Sequence, residues 1–388
     1  MNTGRTVFSQ VMEHLPLHEF HKCVDRYHGE RKVKSFSCLD QFLCLAFAQL
    51  TYRESLRDIE ACLRTIGPKL YHMGFRGTVS RNTLANANAV RDSRIYQDFA
   101  MVLIGLARAL YAKEDFGVHL SRTVYAFDAT TIDLCLSLFP WAEFRSTKAG
   151  IKLNTLLDLR GPIPSFIHVS NAKMHEVNAL AHLRFEAGAF YLLDRGLLDF
   201  GELYRIHRSR AYFVVRAKRN LDFARRYSAD VPNVLGLRFD QTIVLNGFYS
   251  SAAYPEALRR VGLVDPESGK KVVFLANNFD LAASTIARLY KARWRVELFF
   301  KWIKQHLRIK AFYGTSENAV KTQIWTAIAV YVLVAVIRKR LTLDKTLYEI
   351  LQILSVSLLE KTPISTALSD YDYTTLEPDV QNQLSLFT

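Results

Sequence analysis

Through residues 1 to about 115 the apolar positions recur mainly at helical spacing, most clearly from Leu39 to Leu50, with a polar amphipathic run from Ser55 to Leu63. Gly67 and Pro68 break the pattern. Ser80 then stands where a helix N-cap is expected, with Leu84, Ala87 and Val90 turned inward and Asn82 and Asn86, one turn apart, turned outward beside Arg81. From Arg122 the character changes. TVYAFDATTIDLCL and GIKLNTLLDL are rich in β-branched and aromatic residues, and after the Gly161-Pro162 turn PSFIHVS reads as a third strand, so the three predict an antiparallel meander. Helical spacing returns in HEVNALAHLRF. AFYLLDRG is a short continuous apolar run ending at Asp194, the pattern of a strand covered on both faces, and a helix over about 198–208 and the strand AYFVVRAK complete a βββαβαβ order. Residues from about 219 to 271 are β-rich with a hairpin signal at PESGK, and KVVFLANNF leads through Asp280 into a long helix over Tyr290–Lys310. That helix has no Gly or Pro, and Leu289, Ala292, Val296, Phe299, Phe300, Ile303 and Leu307 form its one apolar stripe. The apolar run Ile324–Ile337 falls short of the about 20 residues that span a bilayer, which points to a buried helix beneath a functional site. LDKTLYEILQILSVSLLEK closes the pattern as an amphipathic helix, before a tail carrying Asp370, Asp372, Glu377 and Asp379.

Composition narrows what such a chain does. Its 388 residues are 49% hydrophobic and 12% aromatic, which excludes a disordered chain. A net charge of +14 favours a polyanionic partner, since each phosphate neutralised by Lys or Arg releases counterions. A membrane surface or an RNA would satisfy charge alone equally well. The five cysteines, Cys23, Cys38, Cys44, Cys62 and Cys135, are odd in number and contain no CxxC pair, arguing against a disulfide framework or a zinc site and for a reducing cytosol. No signal peptide is expected from the first residues, and no membrane association.

The candidate chemistry lies on the polar side of the Tyr290–Lys310 helix. At about 100° per residue, Tyr290, Arg293, Glu297, Lys301 and Lys304 fall within an arc of roughly 80°, one carboxylate among cations. Salt bridges on a solvated face are the ordinary explanation of such a pattern. Trp294 shares the polar side, and a tryptophan at helical spacing is more often core than a platform for a displaced base. The spacing Tyr290-x2-Arg293-x3-Glu297-x6-Lys304, however, resembles the YREK signature of DDE-superfamily transposases of insertion-sequence family four.

The resemblance implies a ribonuclease H-like core, which is also the fold matching the βββαβαβ order, with a β-rich insertion before the last acid. It implies that Glu297 completes a metal-binding triad and that Tyr290, Arg293 and Lys304, with Lys301 on the same face, contact DNA. The environments FDATTIDL of Asp128 and LLDRGL of Asp194 resemble the first two acid motifs. Asp128 is expected to end the first strand and Asp194 the fourth, which are neighbours in such a sheet; Asp133, Asp158 and Asp199 are the competing acids. Three carboxylates suit Mg2+, with Mn2+ able to substitute, and two such ions about 3.5–4 Å apart activate the attacking oxygen and stabilise the leaving one. Residues 1–115 are expected to be a helical DNA-end-binding domain using Arg81, Asn82 and Asn86. The catalytic core is expected over 116–218 and 272–340, around an insertion at 219–271, with a C-terminal helix and tail at 341–388. The implied activity is a transposase that binds the terminal inverted repeats of double-stranded DNA, cleaves the ends and joins them to target DNA as a homodimer in a synaptic complex. A ribonuclease H-like nuclease without strand transfer and a DNA-binding regulator without catalysis are the alternatives. The closing Gln383-Leu384-Ser385-Leu386-Phe387 resembles the pentapeptide that docks bacterial proteins on the sliding clamp.

Overall fold

A computed structural model describes residues 4–114, 116–118, 120, 122–231, 236–264, 269–306 and 312–369. The acidic tail, the Gln383–Phe387 motif, Leu307 and most of the PESGK hairpin lie outside the described residues.

Six helices open the chain: α1 (Val7–Met12), α2 (Leu17–Arg26), α3 (Cys38–Leu50), α4 (Leu56–Thr65), α5 (Arg81–Val90) and α6 (Arg94–Tyr111). Their starts are chemically marked. Ser37 and Asp40 form a reciprocal capping box on α3, and Ser80 accepts a hydrogen bond from the Thr83 N–H at the head of α5. Leu84 and Ala87 are buried as expected, but Val90 is 73% exposed. The inward position goes instead to Asn88, which accepts a hydrogen bond from Gln41 Nε2 at 2.8 Å, while Arg91 leaves the helix to bind the carbonyl of Ser37.

The sheet begins with β1 (Val124–Leu134), β2 (Glu143–Arg145), β3 (Lys148–Asp158) and β4 (Ile163–Asn171), antiparallel neighbours. After α7 (Glu176–Leu180), β5 (Phe190–Leu193) runs parallel to β1, and after α8 (Phe200–Arg208), β6 (Tyr212–Arg216) runs parallel to β5. The core order β4-β3-β1-β5-β6 is the ribonuclease H-like sheet. The helix α7 is shorter than HEVNALAHLRF predicts, because the Arg205 guanidinium takes up the carbonyls of Leu180 and Leu183 that a further turn would use.

The β-rich segment does not fold away from this sheet. β7 (Phe223–Ala229), β8 (Leu237–Leu245), the short α9 (Phe248–Ala253), β9 (Leu258–Val264) and β10 (Lys271–Ala276) follow, and β10 pairs antiparallel with β6, extending the order β6-β10-β9-β8-β7. Then come α10 (Ala283–Ala292), α11 (Trp294–His306), α12 (Glu317–Arg340), α13 (Leu347–Ser357) and α14 (Ile364–Ala367).

Alternation along the strands feeds two cores. Val124, Ala126, Phe190, Leu192 and Val214 share a core with α10, α11, α12 and the N-terminal helices, whereas Tyr125, Phe127, Tyr191, Leu193 and Val215 pack under α7 and α8 on the other face. α12 is the one described helix long and apolar enough to cross a membrane, yet it is buried almost throughout, apolar on every side because protein surrounds it.

Candidate active site

Asp128 does not end its strand as expected; β1 runs on to Leu134. The reason is local pairing. Along one side of β1, β3 continues in register from Asp128↔Thr155 to Leu134↔Ala149, while on the other side β5 stops at Phe127↔Leu193. Asp128 therefore stands where β1 loses a neighbour, and Asp194, the first residue after β5, lies beside that gap. Both follow residues of the lower core, Phe127 and Leu193, so both side chains turn to the opposite face, where α10 and α11 lie.

The third element differs from expectation too. The continuous helix over Tyr290–Lys310 is two helices meeting at Arg293, where the hydrogen bonds tighten: the Arg293 N–H donates to Tyr290 O at 3.1 Å and the Val296 N–H to Arg293 O at 3.0 Å. That joint holds the site together. Arg293 donates Nη1 to Asp128 Oδ2 at 2.8 Å and Nη2 to Glu297 Oε1 at 2.6 Å, and the Tyr290 hydroxyl donates to Asp194 Oδ1 at 3.1 Å. Lys304 reaches β1 as well, donating to the carbonyl of Thr131 at 2.8 Å. Lys301 points to solvent. Trp294, expected in the core, is 58% exposed, because it opens α11 on the side away from the apolar stripe of Val296, Phe299, Phe300 and Ile303.

Electrostatics follow from burial. Desolvation raises the Asp128 carboxyl above its usual range, and the Ala129 N–H and Arg293 offset only part of this. Burial works against the charge of Arg293, yet Asp128, Tyr290, Asp194 and Glu297 together hold its pKa above the ordinary value. The two partners shift the same way because Asp128 has one cation near it and Arg293 has several anions. Burial pushes the Tyr290 hydroxyl up to about 12, so it stays a proton donor at neutral pH.

The donor set suits a hard divalent ion: carboxylates from β1, the end of β5 and α11, with Thr155 Oγ1, in register opposite Asp128, buried and without a hydrogen-bond partner among the described residues. As placed, no three such side chains among the described residues are arranged to grip an ion, since the Arg293 guanidinium bridges Asp128 and Glu297. Asp128, Asp194 and Glu297 would be the ligands once that cation moves aside.

The competing acids have other work. Asp158 is buried against Arg160 at 2.6 Å, Asp199 caps α8 by accepting from the Glu202 N–H, and Asp133 lies exposed further along β1. Glu176, at the start of α7, carries no pattern that singles it out; it adds a like charge that raises Asp128 further and sits 3.6 Å from Lys152. Thr155 is likewise silent in the sequence, and only the β1–β3 register reveals it. Arg81, Asn82 and Asn86 lie together on the first two turns of α5, with both asparagines exposed and the Arg81 guanidinium 3.4 Å from Asn82 Oδ1.

Residues 119–333 match the family model of the transposase DDE domain. The chain belongs to the DDE transposase family. Residues 3–76 match a further model described as a domain of unknown function, DUF4372. The transposase is 30% identical over 256 residues to y4zB, named as a transposase, of Sinorhizobium fredii, covering 65% of this chain and 70% of that protein. It is 27% identical over 208 residues to a protein of Geobacillus stearothermophilus named as the transposase for insertion sequence element IS5377, covering 53% and 54%. Over 296 residues it is 22% identical to a Synechocystis protein named for insertion sequence element IS4SA, covering 74% and 81%. The matched region spans Asp128, Asp194 and Glu297, so the three acids fall inside the family's domain.

Proposed function

We propose that this transposase binds the terminal inverted repeats of its element, cleaves at the ends and joins them to target DNA, using divalent metal, Mg2+ or Mn2+, held by Asp128, Asp194 and Glu297. The observation that carries this reading is the convergence of the three acids, far apart in sequence, on one face of the sheet through Arg293 and Tyr290. Metal bound there would supply activation of the attacking oxygen and charge stabilisation of the leaving one. The chain's own residues do the positioning. Arg293, once it leaves the carboxylates, offers its planar donors to the non-reacting phosphate oxygens; Tyr290 donates a hydroxyl hydrogen, and Lys304 and Lys301 add positive charge along the same helix. Trp294, exposed at the start of α11, would offer its ring to a base lifted from the duplex.

Residues 1–115 act as the end-binding domain, with Arg81, Asn82 and Asn86 of α5 facing the DNA; residues 116–218 and 272–340 form the core, 219–271 the insertion, and 341–388 the C-terminal helix and tail. Two copies pair two ends in a synaptic complex within a reducing cytosol. Gln383, Leu384, Ser385, Leu386 and Phe387 dock the protein on a sliding clamp at replicating DNA. Deleting the last six residues should abolish clamp binding in a pull-down, and binding that survives rules out this part.

The test of the whole is to incubate the protein with labelled element-end DNA and Mg2+ or Mn2+, beside Asp194→Ala and Glu297→Gln. Metal-dependent nicking with joining, lost in both variants while DNA binding persists, is the expected result. Nicking without joining supports a plain nuclease instead, and binding with no metal-dependent product supports a regulator.

A further inference from the structure

A second charged site adjoins the acids. Six cations, Arg195, Arg216, Lys218, Arg219, Arg260 and Lys271, line a cavity of about 240 Å³ at the carboxyl end of β6 and the start of β10, and the described residues lining it include no acid. None of the six makes an ion pair among the described residues. Like charges gathered in one concavity repel one another and focus a positive field, an arrangement that an anion relieves. Its apolar lining, Ala217, Leu221 and Phe223, packs with the core under α7 and α8, so the cavity meets the acids at the sheet edge where β5 and β6 end. Arg195 directly follows Asp194, and Arg216 acts through its charge on Tyr290, whose hydroxyl donates to Asp194.

One of the six is built into place. The Arg260 guanidinium stacks 4.7 Å from the Phe223 ring and 4.3 Å from the Phe239 ring, and Nη1 donates to Gln241 Oε1 at 2.8 Å. Phe239 keeps that position because Gly262 stands behind it: a Cβ there would lie 2.2 Å from the ring. Lys218 Nζ donates to the carbonyl of Leu198 at 3.4 Å. A fixed, partly desolvated guanidinium beside other unpaired cations is the make-up of a phosphate site rather than of a solvated surface.

We propose that this cleft holds the backbone of a single DNA strand as it leaves the acid site toward the β7–β10 extension. Its volume of about 240 Å³ is far below that of a duplex segment, and its charges come from the ends of β5 and β6, from β9 and from the start of β10. The proposal rests on the transposase reading for the identity of the polyanion, and it assigns the extended sheet a strand-holding role.

The test measures binding of oligothymidylate to full-length protein by fluorescence anisotropy across a salt series. Wild type is compared with the Arg219→Ala, Lys271→Ala double variant and with the charge-keeping Arg219→Lys, Lys271→Arg pair, all four substitutions being at exposed positions. Each phosphate left without its cation lowers the slope of log K against log salt by about 0.7 for a single strand, so the alanine pair should lose about 1.4 and the charge-keeping pair almost nothing. An alanine pair with the wild-type slope and affinity overturns the proposal. Joined DNA ends together with an unchanged slope would leave the transposase reading standing and remove the cleft. A reduced slope with no joined ends would do the opposite.

Discussion

On the proposed function, Arg293 occupies carboxylates that would hold the metal, so replacing it should tighten metal binding to DNA-free protein. Arg293→Met keeps much of the side chain's bulk and removes both donors. The bond to Asp128 joins side chains 12% and 18% exposed, so it keeps most of the about 1.5–3 kcal/mol of a charge-assisted hydrogen bond. The bond to Glu297, 34% exposed, is discounted for solvent screening to about 1 kcal/mol. An ion entering the wild-type site must forgo both, about 3 kcal/mol together, which corresponds to about a hundredfold in affinity. Calorimetric titration of Mn2+ into wild type and Arg293→Met without DNA reads this directly. The variant should bind about a hundredfold more tightly, and its unfolding midpoint should rise more steeply with added Mn2+. Equal or weaker binding by Arg293→Met would refute the idea that this guanidinium stands in the ion's place, and would make it a support for the acids instead.

Three further outcomes follow from interactions elsewhere. Arg259, 6% exposed as a residue, bonds Asp240 through Nε at 2.9 Å and Nη2 at 2.6 Å and the carbonyl of Asn278 at 3.2 Å; Arg259→Leu should cost about 3 kcal/mol in urea unfolding, since it strands a carboxylate only 14% exposed. Gly262→Ala forces the Phe239 ring off Arg260 and should cost about 1–3 kcal/mol in the same measurement. Replacing Asn82 and Asn86 together by Ala should reduce the preference for element-end over random DNA in competition binding by about 1–3 kcal/mol for each base no longer read, and leave random-DNA binding unchanged.

Much of the core was legible because strand alternation is a strong, local signal. Val124–Phe127, Phe190–Leu193 and Tyr212–Val215 are apolar runs whose order points to a sheet with Asp128 and Asp194 on neighbouring strands. What pattern could not carry was pairing. That Asp128 sits mid-strand follows from where β5 stops, and that Thr155 faces it follows from register. The joint at Arg293 carries no Gly or Pro to mark it; it comes from tertiary interactions that pull one guanidinium toward β1. Trp294 and Val90 depart from expectation for a related reason, since helical periodicity says which residues share a side but not where the helix starts or ends. The cationic cleft was invisible along the chain, its members coming from the turn after β5, from β6 and the residues just after it, and from β9 and β10.

The central claim is that Asp128, Asp194 and Glu297 jointly hold divalent metal at the reacting phosphate. Its most direct measurement is a Mn2+ titration, followed by electron paramagnetic resonance, of the protein bound to its element-end DNA, for wild type and for Asp128→Asn, Asp194→Asn and Glu297→Gln. The account predicts that each substitution weakens Mn2+ binding by tenfold or more, about 1.4 kcal/mol. Unchanged Mn2+ affinity in all three variants would contradict it.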